Sequence, residues 1–423
     1  MDFSPSEITP ELEEFAREVG EWLDENIPED MEFPRDPCNV SYEQFQKRRE
    51  LGRKIGEKGW LFPSYPCRYG GGGLDTAHSA MIRREATKRK LELPPYHSAG
   101  GVLGAPAILA CGTGEQKKFH LPKILRDGAL TWECFTESEA GSDEANQQTN
   151  ALRSQREGEY FIINGDKIFV GGLYPPPDLM LLLTRSDLEA PRHDNLAMFL
   201  VPGDLPGISI TPLDLFVPGP FDAVKGQSTT SADAVKHQVF FDDVKVHQRY
   251  LIGGDRDGWK AASATLEVEH GIGAMQGDYA GGRREDRFFA GVERSYIVER
   301  FLDQCKNNPD INRRIKENPE LLSRVLDVYI DAEKERLYTL RNMGGRGGPY
   351  GGIHSQLFSK LFALRLVEAM AEVLGPYTMT GDDEWAPEEG LFEVGQRGAP
   401  SLAPTGTPEV LKIVMSRALR IGR

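Results

Sequence analysis

Hydrophobic patterning changes period twice along the chain. From Thr9 the apolar residues Leu12, Phe15, Val19, Trp22 and Leu23 recur three and four apart behind a threonine cap and Pro10, which predicts an amphipathic helix. Helical spacing returns over Tyr42 to Lys58, Thr76 to Lys90 and Gly101 to Cys111, and Gly112-Thr113-Gly114 opens one more helix that ends near Arg126. From Ala129 to about Val246 the chain reads as β. Leu179 to Thr184 and Leu196 to Val201 are continuous apolar runs of strand length, while Gly207 to Thr211 and Val239 to Val244 alternate. Phe161 to Ile163 and Lys167 to Val170 read as two short strands joined by an Asn164-Gly165 hairpin turn. After Gly258 helical spacing holds, with Arg324 to Arg341 and Ser355 to Val373 as bundle helices. The expected fold is α+β and multidomain: an N-terminal all-α domain over residues 1–128, a middle β-barrel or sandwich domain over 129–248 and a C-terminal four-helix-bundle domain over 249–423.

Composition narrows the chemistry. A chain of 423 residues with 39% hydrophobic content and no long apolar run suits a soluble protein, and Met1 to Pro5 carry no secretory pattern, so a cytoplasmic location is expected. A formal net charge of −15 opposes nucleic acid and anionic membranes as partners. Cys38, Cys67, Cys111, Cys134 and Cys305 lie far apart, without Cys-x-x-Cys or His at ligand spacing, so free thiols are expected and no metal site. The Gly70 to Gly73 run lacks the Lys-Ser/Thr of a phosphate loop and reads as a packing turn.

Residues Leu130 to Asp143 are where site chemistry is concentrated. A β-friendly run breaks at Phe135-Thr136 into small polar residues through Gly141-Ser142, which lets backbone and hydroxyls approach a flat ligand; taken alone, the same stretch is also an ordinary strand followed by a capped turn. Trp259, Ala262, Leu266, Glu269 and Gly273 share one helix face, so Glu269 is a lone carboxylate among small and apolar residues, with Glu267 on the other side. Desolvation there suits a general base; a buried glutamate paired with an arginine is the alternative.

The pair formed by Phe135 to Ser142 and Asn164 to Val170, at this spacing, resembles the acyl-CoA dehydrogenase family. The Gly59-Trp60 and Tyr69-Gly70-Gly71 corner, Gly112-Thr113 with Gln116-Lys117, Leu266-Glu267-Val268-Glu269 and Thr405-Gly406-Thr407 extend the resemblance over nearly the whole chain. Val325 to Glu333 and Gly406 to Lys412 are similar to the bacterial members that act in sterol and ring-compound catabolism, several of which assemble as mixed tetramers.

The resemblance implies an FAD cofactor touched by Phe135, Thr136, Gly141, Ser142, Phe169, Val170 and Gly171, with Gly375 reaching the flavin across a dimer interface and Thr407 and Glu409 as further contacts. It implies Glu269 as the catalytic base, because the family's other base position is Thr405, which contributes only its backbone N–H to the thioester carbonyl. Ser142, Glu269, His270, Thr405 and Gly406 would contact the acyl-CoA substrate. The expected reaction is α,β-desaturation of a bulky or cyclic acyl-CoA, with electrons passed to electron-transfer flavoprotein by a homo- or hetero-tetramer. The sequence departs from the family pattern at Gly171, which lacks a hydroxyl, at Pro376 and at His270, while Arg283 to Arg287 reads equally as a solvated charge run. Two alternatives stand beside dehydrogenation: an enoyl-CoA reductase or other flavin chemistry on the same fold, and a non-catalytic scaffold subunit of a heterotetramer.

Overall fold

The computed structural model describes residues 8–32, 40–96, 98–213, 236–269, 288–289, 292–343, 351–381, 385–398 and 406–421. Its N-terminal part is helical: α1 (Pro10–Asn26), α2 (Tyr42–Glu57), α3 (Thr76–Lys88), α4 (Ala105–Cys111) and α5 (Gly114–Leu125). The predicted caps are present. Thr9 accepts from Leu12 N, and Thr113 with Gln116 forms a reciprocal capping box. The Gly-rich corner is a packing turn, since a Cβ on Gly72 would lie 2.6 Å from the Gly59 carbonyl oxygen.

The strands β1 (Thr131–Cys134), β2 (Asn150–Arg153), β3 (Tyr160–Gly171), β4 (Leu179–Arg185), β5 (Leu196–Pro202), β6 (Ile208–Pro212) and β7 (Lys236–His247) form one seven-stranded curled sheet, with β4 parallel to β1 and antiparallel to β5. The middle β domain expected from the strand pattern is present as this curled sheet. The continuous apolar runs of β4 and β5 follow from burial on both faces. Leu179, Leu181, Leu183, Leu196, Met198 and Leu200 pack into a core shared with the N-terminal helices, while Met180, Leu182, Ala197, Phe199 and Val201 join Trp132, Phe161 and Val246 on the other side.

The expected hairpin at Asn164-Gly165 is absent: β3 runs unbroken through both residues, with an irregularity in its pairing to β7 between Ile163 and Gly165. Asn164 instead exchanges two hydrogen bonds with Asp243, at 3.0 and 2.9 Å. Gly165, at φ +138°, lets Thr149 come close; a Cβ there would lie 2.6 Å from Thr149 Cα. Tertiary crowding, not a turn, asks for the glycine.

Helix α6 (Gly258–Glu269) is wedged between the sheet and the N-terminal helices. A Cβ on Gly258 would fall 2.5 Å from Ala197 N on β5, and Thr265 Oγ1 donates to the Leu103 carbonyl at 2.9 Å. Among the described residues the remaining α-helices are α7 (Arg294–Asn307), α8 (Pro309–Glu317), α9 (Pro319–Met343), α10 (Gly351–Leu374), α11 (Leu391–Gly398) and α12 (Pro408–Ala418). They close a core of their own around Ile297, Phe301, Phe362, Leu366, Met370 and Phe392. Among the described residues no helix is long and apolar enough to cross a membrane.

Candidate active site

The structure joins the two segments singled out in the sequence. Ile168 N donates to the Thr136 carbonyl at 2.9 Å, so the end of β1 lies beside the bulged part of β3. Beneath this contact sits Lys167, fully buried, whose ammonium donates to the Phe135 carbonyl (2.9 Å), to Glu137 Oε1 (2.6 Å) and to Gln147 Oε1. Glu137 in turn accepts from Gln148 N at 2.6 Å and Thr149 N at 3.0 Å. Burial pushes the Lys167 ammonium below the usual lysine range, against the pull of the Glu137 carboxylate. Neither Lys167, Glu137 nor Gln147 was singled out from the sequence. The available signal was a lysine directly before the apolar run Ile168 to Val170, with a glutamate in the stretch that strand faces.

On the exposed side of the same contact stand Phe169 and the loop through Ser142. Phe169 is 50% exposed and held at φ +59°, a conformation that disfavours a bulky side chain. Phe135 is buried, Thr136 is half-buried, and Gly141 and Ser142 are exposed. A Cβ on Gly141 would meet nothing within 4 Å, so the chain's own packing makes no demand for a glycine there. Val170 is buried and Gly171 half-buried. Cys134, next to Phe135, is inert: burial pushes its thiol up to about 12.

Beyond the loop lies a rim of ion pairs. Arg192, in the β4–β5 connection, pairs with Asp143, and Arg256 pairs with Asp187. His193 stacks on Trp259 of α6, with ring centroids 4.5 Å apart and planes at 16°. These contacts gather the Ser142 loop, the β4–β5 connection and the start of α6 at one mouth. On α6, Gly258, Ala261, Ala262 and Thr265 are buried, Trp259 and Leu266 lie at the flank and Glu267 is exposed. Glu269, the last residue of α6, follows Thr265 by four positions and Ala262 by seven. Its side chain lies outside the described residues, as do His270, Thr405, the Arg283 to Arg287 run and most of the Phe216 to Lys236 segment.

The C-terminal candidates have local roles in this chain. Gly375, at φ +83°, ends α10, where Arg314 donates to the Val373 carbonyl at 3.3 Å. The Thr407 hydroxyl accepts from Val410 N and caps α12, Glu409 is exposed in its first turn, and Gly406 stands just before the cap at φ +89°.

A helical N-terminal part, a curled sheet with a strained aromatic beside a polar loop, and a helix wedged across both define a flavoprotein dehydrogenase fold. The model of the acyl-CoA dehydrogenase N-terminal domain matches residues 9–127 and that of the middle domain residues 133–217, and by these two domains the chain belongs to the acyl-CoA dehydrogenase family, whose members are FAD-dependent oxidoreductases. The acyl-CoA dehydrogenase IpdE1 of Mycolicibacterium smegmatis is 30% identical over 274 residues, which cover 63% of this chain and 66% of that protein. The chain thus spans just under two thirds of the length of the curated relatives it matches first. Among solved structures, the Tcur3481-Tcur3483 steroid ACAD aligns over 100% of both chains with a TM-score of 0.69 and 22% identity. The ChsE4-ChsE5 complex from Mycobacterium tuberculosis aligns over 99% of this chain and 100% of its own, also with a TM-score of 0.69 and 22% identity. At that identity both are likenesses of fold.

The residues present fit FAD. An exposed aromatic ring in a strained backbone, a glycine with open space above it and the adjoining Thr136 and Ser142 make a wall against which a flat ring and its polar tail can lie.

Proposed function

We propose that this chain is an acyl-CoA dehydrogenase acting on a bulky or cyclic acyl-CoA. The observation that supports the reading is the junction of Thr136 with Ile168-Phe169, which brings together two segments distant in sequence that would face the flavin. Phe135, Thr136, Gly141, Ser142, Phe169, Val170 and Gly171 would hold the flavin within one protomer, and Gly375, Thr407 and Glu409 of a second would complete its surroundings. Ser142, His270 and Gly406 would line the thioester.

Chemically, the α-proton of a thioester is too weakly acidic for a free carboxylate, so the carbonyl oxygen must meet fixed donors as charge develops. Thr405 supplies one through its backbone N–H, and Glu269 removes the α-proton. FAD, when bound, supplies the hydride acceptor for the β-carbon, giving a trans-2-enoyl-CoA. Electrons then pass to electron-transfer flavoprotein. The names of the similar structures, a steroid ACAD and a two-component complex, support a bulky substrate and a tetramer with a homologous subunit.

Glu269→Gln is expected to lower α-proton exchange by about a thousandfold while FAD stays bound, read by deuterium uptake into the acyl-CoA and by the flavin absorbance. Retained exchange moves the base elsewhere. The scaffold-subunit reading draws on Gly171 and Pro376; a colourless protein that co-purifies with a homologue would favour it. Reduction of an enoyl-CoA in preference to oxidation of its saturated counterpart would favour the reductase.

A further inference from the structure

We infer that Lys167 is a positioning residue for the flavin, its ammonium fixing the shape of the loop that carries Phe135, Thr136, Gly141 and Ser142; the inference rests on the flavin reading above. An ammonium has three N–H donors, and all three are committed: one to the Phe135 carbonyl, one to Glu137 and one to Gln147. The first two partners lie on the near limb of the loop and the third on its far limb. Glu137 extends the hold through the amides of Gln148 and Thr149, and Gln147 Nε2 also donates to the Phe135 carbonyl at 3.2 Å. The loop is therefore tied to β3 from beneath at one buried point, two residues before the exposed ring of Phe169.

An apolar side chain of the same length would fill the space equally well. What it cannot do is hold three oxygens at one centre, and water has no access to replace it. Displacing Lys167 takes from the Phe135 carbonyl the shorter of its two hydrogen bonds and from Gln147 Oε1 its ammonium donor, leaving the two limbs joined only through Gln147 Nε2 and Glu137, and Thr136, bonded to Ile168, lies between the loosened limb and the strand.

The test compares Lys167→Met with the double variant Lys167→Met, Glu137→Gln, which removes the unpaired buried charge and keeps one of the two oxygens to which the Gln148 and Thr149 amides donate. Three quantities are read: the apoprotein melting temperature, FAD affinity by fluorescence titration, and the visible band of the bound flavin. The double variant is expected to melt well above the single one, since it carries no unpaired buried charge, while still binding FAD about tenfold more weakly than the parent, with a displaced flavin band. Parent-like affinity and spectrum overturn the inference. So does a double variant that melts as low as the single one, which makes Lys167 structural only. A parent apoprotein that takes up no FAD sinks the flavin reading itself, a distinct outcome.

Discussion

In the middle sheet, the residues expected to face the flavin are held by hydrogen bonds within one chain: Thr136 to Ile168, and Lys167 to Phe135, Glu137 and Gln147. In the C-terminal helices, Thr407 caps α12 and Gly375 ends α10, whose Val373 and Leu374 belong to a separate core. One half of the proposed site is thus preassembled by the chain's own chemistry, and the other half consists of helix ends that are satisfied without a ligand. Residues of the first kind answer to the interior of the chain; residues of the second kind answer to whatever docks against a helix terminus.

Two glycines at positive φ, one from each region, make the contrast measurable. Gly165→Ala forces a Cβ toward Thr149 on top of a φ of +138° and is expected to lower unfolding stability by about 4 kcal/mol. Gly375→Ala carries only the backbone penalty, since the nearest atom is Arg314 Nη1 at 4.0 Å, and should lower it by about 2 kcal/mol. Equal losses in denaturant unfolding would erase the distinction. Acidification probes the joint between the sheet and the N-terminal helices. His120 on α5 is buried against the Arg249 carbonyl, and burial lowers its pKa from 6.5 to about 4. The unfolded chain therefore takes up this proton first, and stability present in full above pH 6.5 is lost as pH falls toward 4, by about 3 kcal/mol. His120→Phe should flatten that part of the stability profile. The smallest effect falls on the C-terminal side: Thr407→Ala should lower the stability of α12 by about 1 kcal/mol, read by hydrogen exchange in that helix.

Legibility followed the range of the interactions. Caps are local, so Thr9-Pro10 and Thr113-Gln116 announced their helices, and runs buried on both faces announced β4 and β5. The Asn164-Gly165 turn signal misled because the close neighbour, Thr149, is reached only through sheet pairing. Lys167 and Glu137 escaped notice for the same reason: 30 residues separate them, and neither carries a local pattern that names the other. The stacking of His193 on Trp259 depends on how the β4–β5 connection folds over α6, which periodicity does not encode. On α6 the helical period placed Ala262 on the buried face, while seating against β5 brought in Gly258 and Ala261 as well.

The contorted backbone at Phe169 is a place where strain is stored. Keeping an aromatic residue at φ +59° with half its surface in water costs on the order of 1–3 kcal/mol. Glycine would relax this spot, and would give up the ring together with the strain.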